Sequence, residues 1–117
     1  MTELNRLEKS AADLNDESDK FRAKFQAIEE VLLKIHMGVE VEVDGWGYGR
    51  LPNRRWQFYK VSGTNRVAVL ELRRADRLGL ADALGKIIDK LIAVADEQKR
   101  QHEKANDMLD EAMKRLS

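Results

Sequence analysis

The 117-residue chain has no cysteine, which excludes disulfides, thiolate zinc sites and cysteine nucleophiles together. It has one proline, Pro52, so the stretches on either side lack the residue that most effectively breaks a helix. Aromatic residues make up only 6% of the chain against 36% charged, a balance that suits long solvated helices better than a thick globular core. Formal net charge is zero, so bulk electrostatics recruit no particular partner. No apolar run reaches the length of a membrane span and the N-terminus is polar and acidic. These features predict no membrane segment, no signal peptide and a cytoplasmic protein.

What is present divides into three stretches of one domain: a helix over residues 1–37, a β-meander over 38–74 and a second helix over 75–117. In the first, Leu4, Leu7, Ala11, Leu14, Ser18, Phe21, Phe25, Ile28, Leu32 and Ile35 recur at alternating intervals of three and four. That is a heptad seam, ended by Gly38 as the expected left-handed terminator. In the third, Leu84, Ile88, Leu91, Ala95, Gln98, His102, Ala105, Leu109, Ala112 and Leu116 form another, behind an expected N-cap at Asp76. Laid antiparallel, the seams set Leu14 against Ala105, Ala11 against Leu109 and Leu7 against Ala112, with Ser18 and His102 at one level. Large residues meet small ones, as close packing requires. The expected arrangement is an antiparallel coiled coil within the chain, or a dimeric helical bundle between chains, with Phe21, Phe25, Ile88, Leu91, Gln98 and His102 among the pairing residues.

Between the helices, Val39-Glu40-Val41-Glu42-Val43 alternates apolar and acidic residues, as a half-buried strand does. Asp44-Gly45 then predicts a type I′ turn, which sets Trp46 opposite Val43 and Tyr48 opposite Val41. Pro52-Asn53 predicts a second turn and Gly63-Thr64 a third, bounding a strand over 55–61 and another over 66–72. The fold class is therefore α+β: long helix, four-stranded antiparallel meander, long helix. Apolar residues fall on both faces of the sheet, and a second cover, another copy or a partner, is expected. In outline the layout resembles that of the prefoldin subunits, which also set β-hairpins between the two arms of a coiled coil. The resemblance implies the layout alone.

Charge is distributed unevenly: eight acids against six bases in residues 1–37, four against seven in 38–74, nine against eight in 75–117. The sheet is thus basic and aromatic. Trp46, Tyr48, Arg50, Arg54, Arg55, Trp56, Phe58, Tyr59 and Lys60 form the expected partner-binding set, since tryptophan and arginine most often anchor protein interfaces. The same residues suit single-stranded nucleic acid, because aromatic faces stack on bases while arginines bind phosphate. The Gly45-x-Gly47-x-Gly49 string lies within a hairpin rather than before a helix, which argues against a phosphate loop. It reads instead as bare backbone covered by Trp56 and Phe58. His102 is the one imidazole in a seam, where it suits register or a pH switch. No second ligand stands at metal spacing from either histidine, and neither a metal nor a cofactor is expected. Glu29-Glu30 and Asp96-Glu97 are expected on solvated faces, where nothing tunes them for acid/base work. The functional expectation is a non-enzymatic protein-interaction module, an oligomeric adaptor or inhibitor, with nucleic-acid binding as the alternative.

Overall fold

The computed structural model describes residues 2–117 and shows two long helices flanking a four-stranded antiparallel sheet. Helix α1 spans Thr2–Lys34, and strands β1 Val41–Val43, β2 Trp46–Arg50, β3 Trp56–Ser62 and β4 Asn65–Ala68 follow in that spatial order. A 3₁₀ turn, Val69–Glu71, leads to α2, Gly79–Leu116.

Turn chemistry sets the register of the meander. Asp44 and Gly45 take φ of 54° and 82°, the double positive φ of a type I′ turn, and Val43 pairs with Trp46, Val41 with Tyr48, as expected. At the second turn Arg54 N–H donates to the Leu51 carbonyl at 2.8 Å, and Arg54 itself is left-handed at φ 68°. The Asn53 side chain accepts from Arg55 N–H at 2.9 Å, so the turn closes on its own polar residue. Gly63, at φ 61°, opens the third turn.

Several expected boundaries move; β1 begins only at Val41, and α2 begins at Gly79 behind Leu78, with no side-chain cap from Asp76. Strand β4 stops at Ala68 instead of running to Leu72, because Val69 turns inward and is fully buried. The alternating apolar residues beyond it belong to the 3₁₀ turn and its exit, where Leu70 and Leu72 still pack against the core. Helix α1 ends before Gly38: His36 is the left-handed residue, at φ 51°, with its N–H on Leu33 O and Met37 N–H on Leu32 O. This pair of bonds is a Schellman motif with a histidine where glycine is usual.

The largest correction concerns the helices. No lengthwise seam forms between α1 and α2; α1 packs on β3, and α2 on β1 and β2. Phe25 lies against Phe58 at 5.1 Å between ring centroids, placing α1 over the third strand. Lys86 reaches Asp44 and Lys90 Nζ donates to the Glu42 carbonyl at 2.8 Å, placing α2 along the first. Where α2 begins, Arg77 bonds Ser18 of α1, so the two helices cross the same face in roughly the same direction. Their free ends therefore leave the sheet on opposite sides. The molecule is 87 Å long, where a single helix of 38 residues spans about 57 Å at 1.5 Å per residue. An antiparallel helical hairpin, and with it the prefoldin layout, does not describe this arrangement.

The core lies between the helices and one sheet face: Phe25, Leu32, Val41, Tyr48, Phe58, Val69, Leu80, Ile87 and Leu91 are buried there. On the other face Tyr59, Leu51 and Ala68 form a small second cluster. Tyr59 lies across Gly47, where an added Cβ would meet its ring and stand 2.6 Å from the Val41 carbonyl. Arg66 covers the outer side of the Tyr59 ring at 4.9 Å. The expected cover by Trp56 and Phe58 was assigned to the wrong face: on the second face Tyr59 covers Gly47 and packs with Leu51 and Ala68.

Candidate functional site

The expected aromatic and basic surface separates into its parts. Tyr48 and Phe58 are 1% and 0% exposed, their rings tilted at 58° to each other with centroids 5.0 Å apart beneath the helices. Tyr59 is buried on the opposite face, as described. Trp46 and Trp56 are half-buried at the edges of the core, Trp46 with Lys60 Nζ 5.1 Å above its ring and Gly79 of α2 close against it. Only Arg50, Arg54 and Arg55 stand exposed. The physical reason is economy of core: a chain with so few aromatics uses them where burial stabilises most. As a presented platform, the set is corrected to three arginines at one end of the sheet.

Beside those arginines the structure places a carboxylate that sequence reasoning put in water. Glu29 is 8% exposed, and burial pushes its carboxyl up to about 7, partly offset by a hydrogen bond from the Phe58 backbone N–H. That N–H is free because β4 pairs only with Tyr59–Ser62 and stops short of Phe58. Burial first, and the Glu29 charge second, also raise the Tyr48 phenol. Glu29 borders a shallow hollow of about 420 Å³ shared with Arg54, Arg55, Trp56 and Leu33. The tuned group was invisible in sequence because Glu29 follows Ile28 off the heptad seam; a sheet, unlike a second helix, covers a wide stripe of α1. The hollow thus sets one tuned carboxylate beside two guanidinium groups. Among the described residues no three His, Asp or Glu side chains gather as a metal site.

A second constellation anchors α2 to α1. Arg77 is buried, donating through Nη2 to Ser18 Oγ at 2.6 Å and to Ser18 O at 3.1 Å, with its guanidinium 5.0 Å above the Phe21 ring. Arg74 Nη1 donates to Asn15 Oδ1 at 2.6 Å. Ser18 is thereby engaged by Arg77 and not by His102, whose Nδ1 lies 2.8 Å from the Gln98 carbonyl of its own helix. Between these contacts and exposed Leu78 is an apolar hollow of about 670 Å³, lined by Leu14, Phe21 and Ala75. Of the residues expected to pair helices, Phe25 and Leu91 are core and Phe21 packs against it, while Ile88, Gln98 and His102 remain open.

Beyond the sheet each helix continues as an uncovered arm: residues 2–17 of α1 and 96–116 of α2 are exposed at every position. Leu7, Leu14, Met108, Leu109 and Met113 are all more than half exposed. No helix among the described residues is long and apolar enough to cross a membrane. No protein-family model matches the chain, and no curated protein and no solved structure matches it.

Proposed function

We infer that the chain is a non-enzymatic protein-interaction module that works as an oligomer, an adaptor or an inhibitor of a larger complex, and that its arms make the contacts. The observation supporting this is the pair of apolar heptad stripes with nothing on them, since exposed apolar surface of this extent marks an interaction site in a stable protein. Grooves and stripes of this period are read by other helices through anchors at three- and four-residue spacing. Single-stranded nucleic acid would need open aromatic faces, and Tyr48, Phe58 and Tyr59 are closed.

The test is capture of a partner by in-cell cross-linking, followed by substitution. Leu7→Lys with Leu14→Lys, and separately Leu109→Lys with Met113→Lys, should abolish the captured contact while leaving the thermal transition of the sheet body in place. Capture that survives both arm variants and is lost in Arg54→Ala with Arg55→Ala would move the interface to the sheet and overturn the reading.

A further inference from the structure

The arms carry complementary seams that the fold keeps apart. On α1 the seam is Leu4, Leu7, Ala11 and Leu14; on α2 it is Ala105, Leu109, Ala112 and Leu116. The leucines among them are between 45% and 89% exposed, so both seams lack a cover. Two features indicate what covers them, and a third fits the answer.

Edge charge is the first. The charged residues bordering the α1 seam are Glu3, Glu8 and Glu17, all acidic, and the charged residue at the edge of the α2 seam is Arg115, which the register below sets level with Glu3. Two α1 arms would set acid against acid and two α2 arms base against base; only the mixed pair is complementary. Exposed ion pairs within each helix, Glu17 with Lys20 and Lys99 with Glu103, are weak competitors.

Direction is the second. The α1 arm has the chain's N-terminal end at its tip, the α2 arm the C-terminal end, and they leave opposite sides of the sheet. Turning a second copy end over end therefore brings its α2 arm beside the first copy's α1 arm, with the chains running in opposite senses. The same rotation pairs the remaining two arms, so the contact is closed and isologous.

Register is the third. Where Leu14 falls level with Ala105, Ala11 falls level with Leu109 and Leu7 with Ala112, a large residue facing a small one at these three levels, while two leucines, Leu4 and Leu116, meet at the fourth. The turn bearing Gln98 and His102 then arrives at the base of the partner's α1 arm, where the hollow beneath Leu14, Phe21 and Leu78 lies open.

We propose that two copies of the chain form a two-fold dimer in which the α1 arm of each lies antiparallel along the α2 arm of the other. The proposal rests on the reading that the arms are docking surfaces and names their occupant as this same chain.

The absence of native cysteine makes the test direct. Leu7→Cys and tagged Ala112→Cys chains are mixed and treated with a short bismaleimide. The mixture should yield a cross-linked product of one tagged and one untagged chain, and neither variant alone should yield any. Light scattering of the unmodified protein should give twice the chain mass. Replacing Glu3 by lysine should weaken the dimer, and adding Arg115→Glu should restore it. A single-chain mass at micromolar concentration, cross-linking of Leu7→Cys with itself, or a cross-link inside one doubly substituted chain would each overturn the pairing. A monomer that still binds another protein through its arms removes this dimer and the oligomer with it, and leaves standing the reading that the arms are docking surfaces. A cross-linked dimer that binds nothing more does the reverse.

Discussion

Helix α1 allows a comparison within a single element. Its inner half and its arm carry the same heptad pattern, yet Phe25 and Leu32 are buried while Leu7 and Leu14 are not. In α2 the same division separates Ile87 and Leu91 from Leu109 and Leu116. Periodicity states that a stripe needs covering, and the element it meets is decided elsewhere. In the body of the molecule that element is the sheet. The sheet's width explains why residues beside the seam, Glu29 and Ile87 among them, are covered as well. In the arms nothing of the chain's own is within reach, because the two helices cross the sheet in the same sense and diverge.

The sharpest way to break the contrast is to truncate one residue on each side of it. Phe58→Ala, in the body, should cost about 3–5 kcal/mol in urea unfolding, the usual penalty for removing a buried aromatic ring. Leu109→Ala, in an arm, should change the same transition by less than about 0.5 kcal/mol at protein concentrations too low for association. At high concentration the arm substitution should lower the midpoint as well, since dimerisation adds stability by mass action. Equal penalties at low concentration would mean that the arms are packed within the single chain.

The two faces of the sheet can be contrasted in the same manner. Gly47→Ala would press a methyl into the Tyr59 ring and the Val41 carbonyl, and one of these is backbone that cannot swing aside. The expected loss is about 2–3 kcal/mol, the range for overpacking a closed site. A neutral result would show that the second face is loosely covered, as a partner-binding surface would be.

Glu29 sharpens the comparison through pH. Its folded carboxyl titrates at about 7, above the ordinary value of 4.5, so the folded state holds a proton that the unfolded state has already released. Its contribution is fully favourable below the unfolded value and is lost as pH rises from about 4.5 through 7. The penalty above pH 7 is about 2 kcal/mol, once the water in the adjoining hollow is allowed for. Glu29→Gln should therefore flatten the fall in stability across this window and exceed the native protein at the alkaline end. Parallel pH profiles of the two proteins would place the Glu29 side chain in water.

Much of this was legible in the chain. Asp44-Gly45 is a local signal, and the pairing of Val43 with Trp46 follows from two residues that tolerate positive φ. The two helices and the meander between them were equally clear, because three- and four-residue spacing and strict alternation are properties of single elements. What escaped was relational. Leu14 and Ala105 match in volume whether they meet within a chain, between chains or not at all, so the agreement of the seams carried no information about helix direction. The aromatic set was misplaced for a related reason: Trp, Tyr and Arg in a sheet suit an interface and a core alike, and the choice depends on which face the helices take. Nothing in the sequence around Arg77 signals burial, and only the position of Ser18 and Phe21 beside it accounts for it.

The joint between α1 and the sheet belongs to both regions, and it gives the smallest effect. His36 holds a left-handed conformation at φ 51° to close the helix, and Arg54 does so at φ 68° to close the second turn. A Cβ in that region costs roughly 1 kcal/mol that glycine does not incur, against which glycine loses more chain entropy on folding. At His36 the conformation is imposed by both Schellman bonds, so the steric gain dominates and His36→Gly should raise stability by about 0.5–1 kcal/mol. At Arg54 the same change removes a guanidinium from the lining of the hollow that Glu29 borders, where any attraction between the two charges exists only once Glu29 is ionised. Arg54→Gly should therefore gain less above pH 7 than at pH 5, whereas the gain from His36→Gly, set by backbone geometry, should be similar at both. Urea titrations of the two variants at both pH values would separate the terms, and a pH-independent gain at Arg54 would detach that arginine from Glu29.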